Sequence, residues 1–377
     1  MRPFLLLVCC FCCAGIASGQ NERGLQLQSY GGFVFPHHEE MKRQEQHVFG
    51  FEAAWYAKGT GYAGMDRHFW SPRLGAGLLY LNMGDTLNGS VFSPMAFIEF
   101  NLKERSRSTT TLRCGSGIGY FTRPFSLENN LRNRANGTHL NGLMQVLVNR
   151  RQAIGANAEA NIGLGITHFS NGNWKFPNWG VNMLLGHVGF SWFLSKGPQH
   201  KSSWPLYNAD TPRLRGFWSV SVRTGKRQIA VDDSRNFTMF MGEVVYHHPQ
   251  SKSRLWRLGL NYYFDPIYPY IKFGPWPVKN RSFGSVSELS FLFGHEYRVG
   301  RVGIIADAGL YLYRPTDSKR MYYEAVGFKY YVNPHVVLMN RLRVHLFTAD
   351  YIEWGVGFNI PDKSIKKPLF KKEFVLF

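Results

Sequence analysis

Cysteine is nearly missing from the body of this chain. Four of its five cysteines, Cys9, Cys10, Cys12 and Cys13, fall within the first 19 residues, which leaves Cys114 by itself. A single thiol cannot close an intrachain disulfide, so a stapled scaffold is excluded for the remainder. Long apolar runs are also absent. Beyond the N-terminus no stretch reaches the ~18 residues that a helical membrane span requires. Acidic residues are few, 25 against 44 Lys and Arg, for a formal charge of +19. No P-loop, dinucleotide fingerprint, zinc-ligand spacing or nucleophile elbow occurs. No basic run interleaves with aromatics in the manner of a nucleic-acid surface, so nucleic acid is not an expected partner.

The N-terminus has a recognisable plan. Arg2 precedes an apolar run from Phe4 to Ile16, followed by Ala17-Ser18-Gly19. A charged start, a short apolar core and a small-residue site predict a signal peptide over residues 1–19, with the mature chain starting at Gln20. No cysteine there follows the small residue that a lipoprotein signal wants, so no lipid anchor is expected. In an exported protein, the excess positive charge suits an anionic membrane surface.

What the chain has in quantity is alternation. From Tyr351 to Ile360, Ile352, Trp354, Val356, Phe358 and Ile360 are apolar, whereas Glu353, Gly355, Gly357 and Asn359 are polar or small. Similar two-residue alternation predicts strands at 49–55, 74–82, 96–102, 112–120, 143–149, 157–170, 182–194, 217–224, 237–246, 255–264, 286–297, 302–313, 321–331 and 337–346. A soluble sandwich and a membrane barrel both alternate, with opposite faces turned to the surroundings. Three features favour the barrel. The aromatics (30 Phe, 19 Tyr, 10 Trp) gather at segment ends, the alternate positions are Gly, Asn, Ser or Glu, and the segments have the length that crosses a bilayer at a tilt. The expected fold is therefore all-β, an antiparallel transmembrane outer-membrane barrel of about 12 to 16 strands. It would occupy residues 20–360, followed by a basic tail over 361–377. Pro36 to Gln46, with His37, His38, Glu39, Glu40 and Glu45, reads as a solvated loop, and no metal site is expected there.

One segment carries chemistry. His168-Phe169-Ser170-Asn171 ends an alternating strand, and Gly172-Asn173-Trp174-Lys175-Phe176-Pro177-Asn178-Trp179-Gly180-Val181-Asn182 follows. Residues two apart on a strand share a face, so a base and a hydroxyl nucleophile can lie side by side. Parity identifies the face. Ala158, Ala160, Ile162, Leu164 and Ile166 are apolar and even-numbered, and His168 and Ser170 continue that series. On the next strand Asn182 shares parity with Leu184, Val188, Phe190, Trp192 and Leu194. A hairpin over 157–194 would bring His168, Ser170 and Asn182 together on the outer wall, where polar groups are costly unless they have a task. A site so placed suits a lipid. Glu159 has the opposite parity and points inward, as does His187, whereas Cys114 reads as a small outward residue.

These residues resemble the outer-membrane lipid A 3-O-deacylases of the PagL type, also called acyloxyacyl hydrolases. The resemblance rests on His168-Phe169-Ser170-Asn171, Pro177-Asn178 and Gly180, about 15 residues in all, with Ala349-Asp350-Tyr351-Ile352-Glu353-Trp354-Gly355 similar to larger members. It implies a barrel whose outer surface removes an ester-linked acyl chain from lipid A or lipopolysaccharide, at the cell outer membrane of Gram-negative type. It assigns Ser170 as nucleophile and His168 as general base. The family's acidic member falls at Asn182. An amide oxygen can orient a histidine but brings no charge to the imidazolium, and the equivalent change in a serine protease costs about 10⁴ in kcat. A slower hydrolase, one that recruits another carboxylate, and a non-catalytic lipid A binder all remain open.

Acyl transfer also needs donors for the oxyanion. Asn171 and Asn178 are the candidate side chains, and Gly172 and Gly180 would let backbone N–H groups approach the ester. Asn178 reads equally as a turn residue after Pro177. Trp174, Phe176 and Trp179 are expected to anchor the loop at the interface, and Lys175 to meet either a lipid phosphate or solvent. No cofactor is expected, since nucleophile, base and donors are protein groups. The competing class is a barrel without catalysis, a channel or binding protein.

Overall fold

The computed structural model describes residues 22–36, 41–42, 46–58, 72–195, 216–233, 235–250, 254–273, 282–299, 301–315, 320–345 and 348–360. The expected signal peptide, the basic tail and most of the His/Glu-rich loop after Pro36 lie outside these residues.

The described residues form sixteen strands and almost no helix. They are β1 (Glu22–Val34), β2 (His47–Lys58), β3 (Arg73–Asn82), β4 (Ser90–Arg105), β5 (Ser108–Phe121), β6 (Leu140–Ala153), β7 (Ala158–Ser170), β8 (Val181–Ser195), β9 (Phe217–Arg227), β10 (Phe237–Pro249), β11 (Arg254–Phe264), β12 (Ser287–Val299), β13 (Val302–Tyr313), β14 (Tyr322–Tyr331), β15 (Val336–His345) and β16 (Thr348–Ile360). One short helix, α1 (Tyr268–Phe273), sits between β11 and β12. The fold is all-β and antiparallel, within the expected strand number. The alternation pattern foresees fifteen of the strands and passes over β1, whose outward row of Leu25, Leu27, Ser29, Gly31 and Phe33 is broken by small residues.

The strands close differently from the single barrel expected over 20–360. β8 pairs back onto β1, with Leu27 opposite Phe190 and Tyr30 opposite His187, and β16 pairs back onto β9, with Val356 opposite Val222. Two eight-stranded rings result, β1–β8 and β9–β16. The chain divides into two units that follow these rings, with residues 172–176 belonging to the second. The physical reason lies inside. Eight strands enclose a space that side chains can fill, whereas sixteen leave an aqueous lumen.

In each ring the outward face is apolar and the inward face polar, the inverse of a soluble core. On β7, Ile162 and Leu164 are more than half exposed, while inward Asn161 and Thr167 are buried. Charges within the first ring meet across it. Arg113 pairs with Glu52 at 2.7 Å, Tyr30 donates to the same carboxylate at 2.8 Å, and Arg73 reaches Glu22 and Glu159 at 2.7 and 2.8 Å. In the second ring Arg341 reaches Glu243, Asp307 and Glu353, and Arg257 bridges Glu243 and Asp307. Buried charges survive in low dielectric only when paired in this way. Beneath the β7–β8 end of the first ring the filling becomes apolar: Leu81, Val91, Phe121, Leu143, Phe169, Val181 and Met183 pack together, with Phe121 and Phe169 edge to face at 5.2 Å. That packing fixes Phe169 inward and thereby turns its neighbours His168 and Ser170 to the other side.

Candidate active site

Strand register assembles the site. β7 and β8 pair with His168 directly opposite Asn182, and β6 pairs with β7 so that Gly142 stands opposite Ser170. His168 Nδ1 and Asn182 Oδ1 are 2.6 Å apart. An amide oxygen only accepts, so Nδ1 carries the proton and donates it. The imidazole is then held in the tautomer whose Nε2 is unprotonated, the form that a general base requires. Both residues are half-buried.

Gly180 walls the ring. Its φ is +74°, and a Cβ there would lie 2.7 Å from His168 Cε1 and 3.4 Å from Nε2. Only glycine satisfies both the left-handed backbone and the close approach. The Gly180 N–H itself donates to Ala135 O at 3.0 Å. Gly172 has φ +64° and belongs to the second unit, where a Cβ would lie 2.5 Å from Ile352 Cγ1. Its small size meets a packing need there. Asn173 is the one described non-glycine residue with positive φ (59°), and its Nδ2 donates to the carbonyls of Ala349 and Asp350 at 2.7 and 3.0 Å within that same unit.

Asn178 does more than turn the chain. It is 8 % exposed, its Nδ2 donates to Ser170 Oγ at 3.0 Å, and its Oδ1 accepts from the Asn171 N–H at 2.9 Å. One amide thus spans the candidate nucleophile and the residue after it. The Asn171 side chain donates to Thr138 Oγ1 at 3.3 Å. Sequence parity alone could not supply these contacts, because they depend on the path of the loop. Trp174 and Trp179 are exposed, as interface anchoring requires, and Lys175 is exposed too.

The inward residues lie where parity placed them. Glu159 is paired with Arg73 and Arg151, His187 is buried against Tyr30 with ring centroids 5.3 Å apart, and Cys114 is half-exposed on the outer side. A second Ser/His pair escaped the sequence reading. Inside the β9–β16 ring, Ser219 Oγ and His247 Nε2 are 2.8 Å apart, and His247 Nδ1 lies 3.7 Å from Glu296. Inward parity on β9 and β10 was the available signal. Glu296 is already held by Lys329 and Arg298, each at 2.9 Å, and Phe217 stacks on His247 at 4.5 Å. Such a cluster stabilises an interior; it offers no approach to a lipid.

Comparison with known proteins bears on the family. Residues 45–191 match the family model described as lipid A 3-O-deacylase (PagL), and residues 216–363 match that of the acyloxyacyl hydrolase C-terminal domain. No curated relative matches the chain. Among solved structures, a triple mutant of Rhodopseudomonas blastica porin is 10 % identical, with 90 % of this chain and 100 % of that one covered and a TM-score of 0.19. The FrpB iron transporter of Neisseria meningitidis is 10 % identical, with 90 % and 70 % covered and a TM-score of 0.21. The toluene transporter TodX of Pseudomonas putida is 10 % identical, with 90 % and 88 % covered and a TM-score of 0.18. Similarity at that level carries nothing further. The first model covers β2 to most of β8 and the second covers β9 to β16, and the chain belongs to the PagL-type lipid A 3-O-deacylase (acyloxyacyl hydrolase) family of outer-membrane β-barrel proteins.

Proposed function

We propose that this protein is an outer-membrane esterase that hydrolyses an ester-linked acyl chain of lipid A on the outer wall of its first barrel. The observation that carries the reading is the 2.6 Å bond from His168 Nδ1 to Asn182 Oδ1, on the same outward row as Ser170. Ser170 Oγ attacks the ester carbonyl while His168 Nε2 takes its proton. The Asn178 amide, already one hydrogen bond from Oγ, follows the charge as it passes to the carbonyl oxygen. Collapse expels the sugar hydroxyl, protonated by His168, and leaves an acyl group on Ser170. Water, activated by the same imidazole, then releases the fatty acid. Residues 1–19 would direct export and be removed.

Mass spectrometry of lipid A from cells expressing the wild type or Ser170→Ala tests this. Loss of one acyl chain with the first and not the second is expected. Unchanged lipid A with both sinks the reading. A non-catalytic lipid A binder has one observation in its favour, the neutral amide at Asn182, and would give that second result while still binding lipid A.

A further inference from the structure

The β5–β6 loop, residues 122–139, is fastened to the hairpin that carries Ser170. The carbonyls of Arg134 and Ala135 accept from the N–H groups of Trp179 and Gly180 at 3.2 and 3.0 Å, and Thr138 Oγ1 accepts from Asn171. Inside the loop, Asn133 Nδ2 donates to the carbonyls of Leu87 and Arg123 at 3.0 and 2.9 Å, and its Oδ1 accepts from the N–H groups of Ala135 and Asn136. Asn130 Nδ2 adds bonds to Leu87, Arg123 and Pro124. Arg134 therefore has a fixed backbone. Its carbonyl holds Trp179, the neighbour of the Asn178 that donates to Ser170 Oγ.

Two arginines of this loop differ from those inside the barrel. Arg73, Arg113 and Arg151 in the barrel interior each meet a carboxylate. Arg123 and Arg134 make no ion pair among the described residues, and Glu128 is the loop's one acid. The Arg123 stem packs over Gly89, where a Cβ would come within 2.9 Å of its Cγ. Leu127 and Leu131 on the same loop are exposed, which suits contact with a lipid surface.

We propose that Arg134, assisted by Arg123, anchors a phosphate group of the substrate headgroup, so that the enzyme selects phosphorylated glycolipids. This rests on the deacylase reading. A guanidinium presents a planar fork to phosphate oxygens, and one carried on a braced backbone beside the hairpin keeps the headgroup within reach of Ser170.

Kinetics on two substrates test the assignment, using the full-length protein in detergent micelles. One substrate is lipid A with its phosphates, the other the same lipid A after phosphatase treatment. The wild type is expected to favour the first by about tenfold or more in kcat/KM, the scale of one charge-assisted contact. Arg134→Gln is expected to bring that ratio towards one, mainly through KM, and Arg134→Lys to keep part of it. A wild-type ratio near one, or a wild-type ratio retained in Arg134→Gln, overturns the proposal. If Arg134→Gln does not fold, Arg123→Gln is read by the same criterion. Inorganic phosphate separates the possible sources: competition with the phosphorylated substrate alone supports a headgroup site, and equal inhibition of both substrates marks a free-anion site and overturns it. Binding of the two lipids to Ser170→Ala keeps the two proposals apart. A preference for phosphate there supports the anchor even if no hydrolysis occurs, and its absence overturns the anchor even if hydrolysis does.

Discussion

In the proposed mechanism, Asn182 sets how fast the site can work. In a serine protease the change from Asp to Asn is severe because the amide can present its N–H group and impose the wrong tautomer. Here Oδ1 faces Nδ1, so the tautomer is right and only the negative charge is missing. Asn182→Glu or Asn182→Asp is therefore expected to raise kcat, by about ten- to a hundredfold rather than the full 10⁴. Lipid A turnover by purified variants checks this, and a fall in rate for both would show that the amide is itself required. Gly180→Ala should cost activity for two reasons, the left-handed φ and the 2.7 Å approach to His168 Cε1. A backbone penalty of about 1–2 kcal/mol and a displaced imidazole are expected, read as a lower unfolding temperature together with at least a tenfold loss of kcat/KM. How far residues were legible in the sequence follows from the same pair. Strand parity placed His168, Ser170 and Asn182 on one outward row because a period of two leaves no alternative once Phe169 is inside. The engagement of Gly180 with Ala135, 45 positions earlier, has no local signal.

Elements are held by what fills the rings. The Arg113–Glu52 pair is fully buried at 2.7 Å, and Tyr30 completes it. Removing one partner leaves an uncompensated charge, so Glu52→Gln is expected to destabilise the first barrel by about 3–5 kcal/mol. Urea unfolding in vesicles, followed by tryptophan fluorescence, measures this, with Glu128→Gln on the exposed loop as the neutral control. The second barrel offers a pH test. Asp265, in the β11–β12 connection, is buried, and burial pushes its carboxyl above the usual range despite its ion pair with Arg227. A raised folded-state pKa contributes stability below the unfolded value near 3.9, and that contribution is lost as pH rises through the folded value. Asp265→Asn does not titrate, so its stability relative to the wild type should increase from acid to neutral pH. A constant difference across that range would exclude the linkage. None of these partners is marked in the alternation: parity says that Glu52 and Arg113 face inward, while their meeting depends on which strands close the ring.

At the scale of the molecule, the alternation fits one large barrel and two small ones equally well, because it records only which side of each strand is wet. What separates them is the choice of partner at β8 and β16, a long-range pairing that no local pattern encodes. Once β8 returns to β1 and β16 to β9, every strand edge is satisfied within its own ring. Two consequences follow. Lumens crossed by ion pairs such as Arg73–Glu159 and Arg341–Glu243 leave no wide aqueous path, so reconstitution in planar bilayers should give no porin-like conductance steps. Covalent continuity between the rings should also be dispensable once both have formed. A protease site introduced between residues 196 and 215, cut after folding, is expected to yield two fragments that each still run anomalously on unheated gels, as closed barrels do. Loss of that behaviour in both fragments would mean that the strands depend on a shared closure, and the two-ring topology would have to be abandoned.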